Sequence, residues 1–156
     1  MSRPNHVIRS SDVARYAPPG QRGVFSSRML IDAESCGSRQ LVVNEFTLKA
    51  GHRSYPGSHP VPFDEVYYVL SGRAWLTLGA DPPMRYRLTP GCIAFISAGT
   101  VHALENPGRT DLVLLTMMPR QPAPGVNTLY DARRKDWGTS FRLRKGARPV
   151  TGRKNP

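Results

Sequence analysis

Residues 91–106 have the sequence GCIAFISAGTVHALEN, in which two apolar runs of strand length, CIAFIS and VHALEN, flank a turn at Gly99. Six similar runs occur in the rest of the chain: VFSSRMLI, QLVVNEFTL, EVYYVLSG, RAWLTLG, MRYRLTP and DLVLLTMM. They are rich in Val, Leu, Phe, Tyr and Thr and are separated by turns that contain Gly, Pro or Asp, a pattern typical of β-strands. Eight short strands at this spacing predict an all-β sandwich or jelly-roll barrel.

The composition agrees with a single small domain. The chain has 156 residues, of which 39% are hydrophobic, with 15 Pro and 14 Gly, so we expect one modest core and many turns rather than long helices. Two cysteines are too few for a disulfide framework. No apolar stretch approaches the roughly 20 residues that span a bilayer, and the N-terminus lacks the apolar run of a secretory signal. We therefore expect a cytoplasmic protein with no membrane partner.

The charge is concentrated at one end. The formal net charge is +11, and the residues after 132 include nine Lys or Arg against a single acid, Asp136. We divide the chain into an N-terminal arm (1–22), a barrel domain (23–119) and an irregular basic C-terminal extension (120–156) that contains QPAPG near its start;. Basic tails can bind nucleic acid, but they are more often simply solvated, so nucleic acid is not the partner that we expect.

The run EVYYVLSG carries a carboxylate into an apolar strand. Side chains alternate between the two faces of a strand, so Glu65 shares one face with Tyr67 and Val69, while Val66, Tyr68 and Leu70 share the other. Because both faces are otherwise apolar, something must cover the outside, either the N-terminal arm or a second subunit. We therefore predict a homodimer. A carboxylate inside the barrel needs a proton, a cation or hydrogen bonds.

The opening stretch also resembles the second conserved motif of the cupin superfamily, which is a Gly, five residues, Pro-x-Gly, two residues, a His, three residues and an Asn. Gly91, Gly99, His102 and Asn106 fall in register, and Ser97 stands where the family usually has Pro. Residues 51–72 resemble the first motif, to which Glu65 and Gly72 conform. The resemblance covers roughly residues 40–118 and implies a double-stranded β-helix, the cupin barrel.

The first motif departs from the family pattern at its His-x-His pair. If His59 is the first His, Val61 occupies the second position; if His59 is the second, Gly57 occupies the first. Either way, one of the family's usual four metal ligands is missing. His52, just after the turn at Gly51, is a possible replacement, although nothing in the spacing demands it.

The resemblance implies a metal site formed by His59, Glu65 and His102, with His52 as an optional fourth ligand. Two imidazoles and one carboxylate can occupy one face of an octahedral ion and leave positions open for substrate. We expect one divalent ion: iron, nickel, manganese or zinc. The alternative is a metal-free pocket in which the His and Glu side chains act as acid and base.

The family includes many enzymes and non-catalytic binders, and the fold does not choose among them. Our first hypothesis is a metal-dependent enzyme with cyclase, isomerase, lyase or dioxygenase chemistry, acting on a small polar, anionic or aromatic metabolite. Tyr67 would point inward and donate a hydrogen bond to substrate. Arg53 and Tyr55, in the loop before the site, would orient the substrate or are ordinary surface residues. The second hypothesis is a small-molecule or sugar-binding module with a degraded metal site.

Overall fold

The structure, a computed structural model, describes residues 7–120, 125, 128–148, 150 and 152. A short 3-10 turn at Ser10–Asp12 precedes the first strand. The eight strands and two helices are, in chain order, β1 (Phe25–Ile31), α1 (Ala33–Cys36), β2 (Leu41–Leu48), β3 (Glu65–Ser71), β4 (Ala74–Leu78), β5 (Met84–Leu88), β6 (Ile93–Ile96), β7 (His102–Glu105), β8 (Leu112–Pro119) and α2 (Thr128–Trp137).

The strands form two antiparallel sheets, and the predicted all-β jelly-roll class is confirmed. One sheet has five strands in the order β1-β2-β8-β3-β6, and the other has three in the order β5-β4-β7. Their inner faces enclose an apolar core that includes Leu48, Val69, Leu76, Leu104, Leu112 and Leu114. Within the described residues, no helix has the length and apolarity needed to cross a bilayer.

The turn between β3 and β4 shows why one motif glycine is required. Gly72 has φ +83°, a left-handed conformation that side-chain-bearing residues rarely adopt;. A Cβ atom there would lie 2.3 Å from the carbonyl oxygen of Asp111. Glycine therefore lets the chain turn sharply after β3, close to the start of β8. Glu65 lies at the opposite end of β3 from this turn.

One row of the five-stranded sheet is polar on its inner face. Asn44 of β2 pairs with Thr116 of β8, and Thr116 pairs with Tyr67 of β3. Directly paired residues share a face of the sheet, so all three side chains point into the barrel. The next row, Phe46 with Leu114 and Val69, is apolar. The barrel therefore has an apolar end and a polar chamber above it.

The N-terminal arm and the C-terminal extension pack against each other. Val13 and Leu143 form an antiparallel bridge, flanked by hydrogen bonds from Ala14 N to Arg142 O and from Arg144 N to Asp12 O, each 2.8 Å. Tyr16 bridges Ser27 on the edge strand β1. The described part of the arm, residues 7–22, thus lies beside β1 and β2 and does not cover the outer face of β3.

The described part of the C-terminal extension contains a helix, α2, and a segment anchored to α1, where the sequence had suggested an irregular segment. Asp32 caps α1 and also accepts a hydrogen bond from Ser140 Oγ. Glu34 accepts from Ser140 N at 2.8 Å and pairs with Arg134. These polar anchors escaped notice because the basic residues of the extension look like a solvated tail when no partner is visible.

Candidate metal centre

The loop between β2 and β3 is tied to the loop that precedes β7. Gly57 and His102 exchange two backbone hydrogen bonds, of 3.1 and 2.8 Å, and Gly99 N donates to His59 O at 2.7 Å. These bonds join the first motif to the second and bring His59 beside His102. The motif segments are therefore held together by backbone pairing, independently of any ion.

This pairing favours one of the two alignments of the first motif. Because Gly57 lies directly opposite His102, a side chain at position 57 would share a face with the His102 imidazole. A Cβ atom built there meets no atom within 4 Å. Val61 instead is 76% exposed. His59 thus corresponds to the second His of the pair, and Gly57 leaves the position of the missing ligand open.

Three donor side chains converge at this point. Glu65 Oε2 lies 3.3 Å from His59 Nε2 and 3.4 Å from His102 Nε2, and all three side chains are largely buried. One ligand atom from each residue lies within 4.8 Å of the other two. Atoms bound to one ion at about 2.1 Å are separated by roughly 3.0–3.4 Å around it, so the donor atoms on either side of the carboxylate are suitably spaced.

The arrangement of donor atoms in the cluster favours a cation at its centre. His102 Nδ1 lies 3.0 Å from the Thr100 carbonyl oxygen, which can only accept, so Nδ1 carries a hydrogen and Nε2 is the ring atom that faces Glu65. Glu65 Oε2 is itself buried, faces both Nε2 atoms and has no hydrogen bond of ordinary geometry among the described residues. Nitrogen and carboxylate lone pairs that face one another in a buried site are stabilised by a positive charge between them.

The acidity of the neighbouring groups follows from the same geometry. Burial alone would raise the pKa of Glu65, but the adjacent His102 and His59 outweigh it, so the pKa is lowered overall and the carboxylate is ionised. Burial, and then the charge of Glu65, raises the pKa of Tyr67 well above its usual value. Tyr67 is therefore a neutral phenol, and its hydroxyl is a hydrogen-bond donor directed at the Glu65 carboxylate.

The residues present fit a divalent metal ion. Two imidazole nitrogens and one carboxylate oxygen are ligands that iron(II), manganese(II), nickel(II) and zinc(II) accept. The backbone pairing fixes their positions, and the open space at Gly57 adjoins them. Among the described residues, three side chains could serve as ligands, which would leave other coordination positions for solvent or for a small molecule.

The structure does not bring two of the predicted site residues into the cluster. The exposed ring of His52 has its Nδ1 2.9 Å from Ala50 O, so His52 does not replace the missing ligand; the preceding turn directs it away. The Arg53 side chain is 74% exposed and pairs with Glu105 at 3.0 Å, because its backbone bridges the edge strand β7. It is a surface residue.

The other two predicted residues line the cavity. Tyr67 is 7% exposed, and its ring lies 6.0 Å from that of His102 in an edge-to-face arrangement. Tyr55 is 77% exposed and contributes to the rim of the cavity. Of these two residues, Tyr67 is the one placed for close contact with a molecule bound at the candidate metal centre.

The cavity above the metal centre has a volume of about 260 Å³ and extends to α2. Ligand pockets for drug-sized molecules span roughly 300–1,000 Å³, so this one suits a small metabolite. Leu129, Tyr130 and Arg133 of α2 contribute to its lining, together with Asn44 and Thr116 of the polar row. The helix thus closes part of the chamber that the strands leave open.

Sequence reasoning missed Arg133, which is 1% exposed. Its Nη2 donates to Ser27 Oγ at 2.5 Å and to Asn44 Oδ1 at 3.4 Å, and its Nη1 donates to Ser140 O at 3.5 Å. Burial lowers the pKa of the guanidinium to about 10, so it stays charged at neutral pH. Arg133 is followed by Arg134 and Lys135, and no local signal separates it from its exposed neighbours.

Comparison with known proteins agrees with this architecture. A family model described as a cupin domain matches residues 44–118. The chain is 29% identical over 119 residues to the oxalate-binding protein of Thermotoga maritima, covering 72% of this chain and 92% of that protein.

Solved structures with lower identity share the fold. A predicted oxalate decarboxylase from Thermotoga maritima superposes with a TM-score of 0.60 at 23% identity, covering 74% of this chain and 99% of the other. KdgF from Halomonas sp. superposes with a TM-score of 0.53 at 19% identity, covering 64% and 83% of the two chains.

Proposed function

Residues 44–118 of this chain are a cupin domain, and we propose that the domain binds one divalent metal ion through His59, Glu65 and His102 and acts on a small anionic metabolite. One observation carries the proposal: the buried Glu65 and two partly buried histidines, from separate segments, bring donor atoms within 4.8 Å of one another, and backbone pairing joins the segments that carry the histidines. A chance cluster on the surface would lack both the burial and the scaffold.

An anionic substrate agrees with two further observations. The related Thermotoga maritima protein is named an oxalate-binding protein, which makes oxalate the natural first probe for this pocket. The chain itself carries a formal net charge of +11, and a positive field raises the local concentration of anions. The cavity of about 260 Å³ limits the metabolite to a small molecule.

The chemistry divides between the ion and the protein. When bound, the ion would act as a Lewis acid that polarises a substrate oxygen atom. His59, Glu65 and His102 hold and orient it, and His102 is oriented in turn by Thr100 O at 3.0 Å;. The neutral phenol of Tyr67 donates a hydrogen bond to a substrate oxygen beside the cluster. This arrangement supports cyclase, isomerase, lyase or dioxygenase chemistry on a bound carboxylate.

A second candidate function is binding without turnover. The specific observation in its favour is Gly57, which leaves the chain with three metal ligands where its family usually has four. A metabolite that coordinates the ion through two oxygen atoms would complete the set and be held without being converted. The two functions share the same site and differ in what happens to the bound molecule.

Metal analysis tests the shared part of the proposal. Protein stripped by a chelator and reloaded separately with Mn(II), Fe(II), Ni(II) or Zn(II) should retain about one ion per chain with one of these metals. The His102→Ala variant should lose it, whereas His52→Ala, whose ring is directed at Ala50 O, should retain it. Equal retention by both variants, or no retention by the wild type, would contradict the metal site. Oxalate consumed by loaded protein indicates turnover, and oxalate bound but recovered intact indicates the module.

We further propose that the protein pairs with a second copy of itself through the outer faces of β3 and β6. The residues there are apolar and contiguous, since Val66 pairs with Phe95 and Tyr68 with Ile93. Ile93 is 70% exposed and Phe95 62%. Exposed apolar patches of this kind mark protein–protein contacts, and an uncharged patch on an edge strand is compatible with self-association by twofold symmetry.

A further inference from the structure

We propose that Arg133 binds a carboxylate group of the metabolite at the opposite side of the cavity from the metal centre, and that the substrate class is therefore a small dicarboxylate longer than oxalate. This inference rests on the proposed function, because it assigns the second end of a molecule whose first end lies at the ion. It adds a specificity-determining residue from α2, outside the residues that match the cupin family.

The charged guanidinium of Arg133 is buried among neutral hydrogen-bond acceptors. Its described hydrogen-bond acceptors are the hydroxyl of Ser27, the side-chain amide oxygen of Asn44 and the backbone carbonyl of Ser140, and all three are neutral. A buried charge with only neutral partners is destabilising compared with one that has an opposite charge beside it. An anion bound in the cavity that Arg133 lines would provide that charge.

Asp32, an acid whose charge acts on Arg133, is already engaged by other donors. Asp32 raises the pKa of Arg133 through its charge, but its oxygens are engaged elsewhere. Asp32 Oδ1 accepts from Ser35 N at 2.7 Å, and Oδ2 accepts from Ser140 Oγ. Asp32 thus caps α1 and anchors the C-terminal segment, with Ser140 between it and the guanidinium.

One N–H group of the Arg133 guanidinium is unpaired among the described residues. Arg133 Nε is buried and has no hydrogen-bond partner among the described residues. A guanidinium binds a carboxylate through a planar pair of N–H groups. Nη2 is engaged by Ser27 Oγ at 2.5 Å, whereas Nη1 makes only long bonds of 3.3 and 3.5 Å, so Nε and Nη1 keep capacity for a further acceptor. Arg133 is also part of the lining of the same cavity as Glu65 and Tyr67.

The separation between Arg133 and the candidate metal site determines the length of the ligand that would reach both. Asn44, which holds the guanidinium, is separated from Tyr67 by the strand β8, and two strand spacings amount to about 10 Å between the backbones. Glu65 lies on the Tyr67 side of the chamber. In oxalate the two carboxylates share one bond, so a single oxalate bound at the ion leaves Arg133 unpaired. A diacid with two or more carbons between its carboxylates is better matched to the separation.

The structural alternative is that Arg133 only fastens α2 to the sheet through Ser27 and Asn44. A fastening role predicts that replacing Arg133 lowers thermal stability without changing which ligands bind. A binding role predicts a change in the preference between charged and neutral ligands of the same shape. Succinate and its monoamide, succinamate, form such a pair, since they differ at one terminal group.

Calorimetric titration of Mn(II)-loaded protein with the two probes distinguishes these roles. Wild-type protein should bind succinate about tenfold or more tightly than succinamate. We expect Arg133→Gln to abolish that preference and Arg133→Lys, which keeps the charge but not the fork, to retain part of it. Lys135→Gln, an exposed position on the same helix, should match the wild type. Manganese affinity, measured separately, should be unchanged in all three variants.

Equal affinities for the two probes in the wild type, or an unchanged preference in Arg133→Gln, would overturn the assignment. If Arg133→Gln does not fold, the wild-type ratio and Arg133→Lys decide the question. Failure of the metal site is recognised independently, because the wild type would then hold no manganese. In that case the same two probes, titrated into metal-free protein, decide whether Arg133 selects a carboxylate.

Discussion

At the scale of single residues, the candidate site combines a second motif that keeps its His and a first motif that lacks one His. Glu65 and His102 hold the positions that their motifs predict, whereas the first motif has a glycine in place of one imidazole. The backbone at Gly57 is already paired with His102, and its surroundings are empty. The missing ligand is therefore absent as a side chain only, since the scaffold that would present it remains.

Restoring that side chain should strengthen metal binding. We expect Gly57→His to bind Mn(II) or Zn(II) roughly tenfold or more tightly than the wild type, equivalent to about 1.4 kcal/mol, because the added imidazole would face His102 across the bridge. Gly57→Ala is the matched control, since it fills the same space without a ligand atom. Competition with a chromogenic chelator measures both, and equal affinities for the two variants would contradict the alignment.

The residues that sequence reasoning identified are those whose role depends on spacing along one strand or turn. Glu65 was predicted from its apolar strand and His102 from its motif, while the register of His59 was left open until the pairing of Gly57 was visible. Arg133 was beyond reach for a physical reason. Its burial depends on Ser27, Asn44 and Ser140, which are 106, 89 and 7 residues away, and nothing in its local sequence records those contacts.

At the scale of elements, the strands followed from alternation and turn residues, but α2 did not. Its sequence TLYDARRKDW has five charged residues and few apolar ones, so periodicity gives little indication of a packed face. The helix is instead held by polar contacts with α1 and by Tyr16, whose hydroxyl donates to Asp136 at 2.8 Å. Tyr16 also packs edge-to-face on Trp137, with ring centroids 5.2 Å apart.

Glu34 makes this docking dependent on pH. Burial would raise its pKa, but hydrogen bonds from Thr139 and Ser140 and the charge of Arg134 lower it below the ordinary 4.5. A carboxylate with a lowered pKa in the folded state stabilises the fold above its unfolded value, and the contribution is lost as the pH falls through the folded value. Docking of the extension through Glu34 should therefore weaken below about pH 4.5.

The Glu34→Gln variant tests this dependence. Because Glu34 is partly exposed and screened by solvent, we expect a loss of only about 0.5–1 kcal/mol in the free energy of unfolding at pH 7, shrinking towards zero on acidification. Denaturant unfolding across the pH range measures the difference. Asp81→Asn, in an exposed loop, controls for the change in net charge. A difference that stays constant from pH 7 to pH 3 would show that Glu34 does not act through its charge.

At the scale of the whole molecule, two exposed edges compete as the contact between copies. The outer face of β3 and β6 presents Ile93 and Phe95 without intervening charge. The edge strand β5 also exposes Met84 and Tyr86, at 57% and 46%, but Arg85 and Arg87 alternate with them. Charged residues on an edge strand oppose pairing between chains, so we expect the first face to be the interface.

Light scattering coupled to gel filtration tests the interface. The wild type should have twice the 17.3 kDa mass of one chain, and a variant carrying Ile93→Ser and Phe95→Ser should elute as a monomer with unchanged secondary structure. The matched variant with Met84→Ser and Tyr86→Ser should remain a dimer. A monomeric wild type, or dissociation of the β5 variant alone, would rule out this interface.

The pocket draws on two stretches of chain under separate constraints. The side chains that we propose as metal ligands lie within residues 44–118, whereas the Arg133 guanidinium lies on α2 beyond that region, anchored by a few polar contacts. Under these two proposals, selection could alter α2, and with it the preferred metabolite, while the metal ligands stay unchanged. A related protein with the same barrel and a different C-terminal segment would then bind the same ion and a different metabolite.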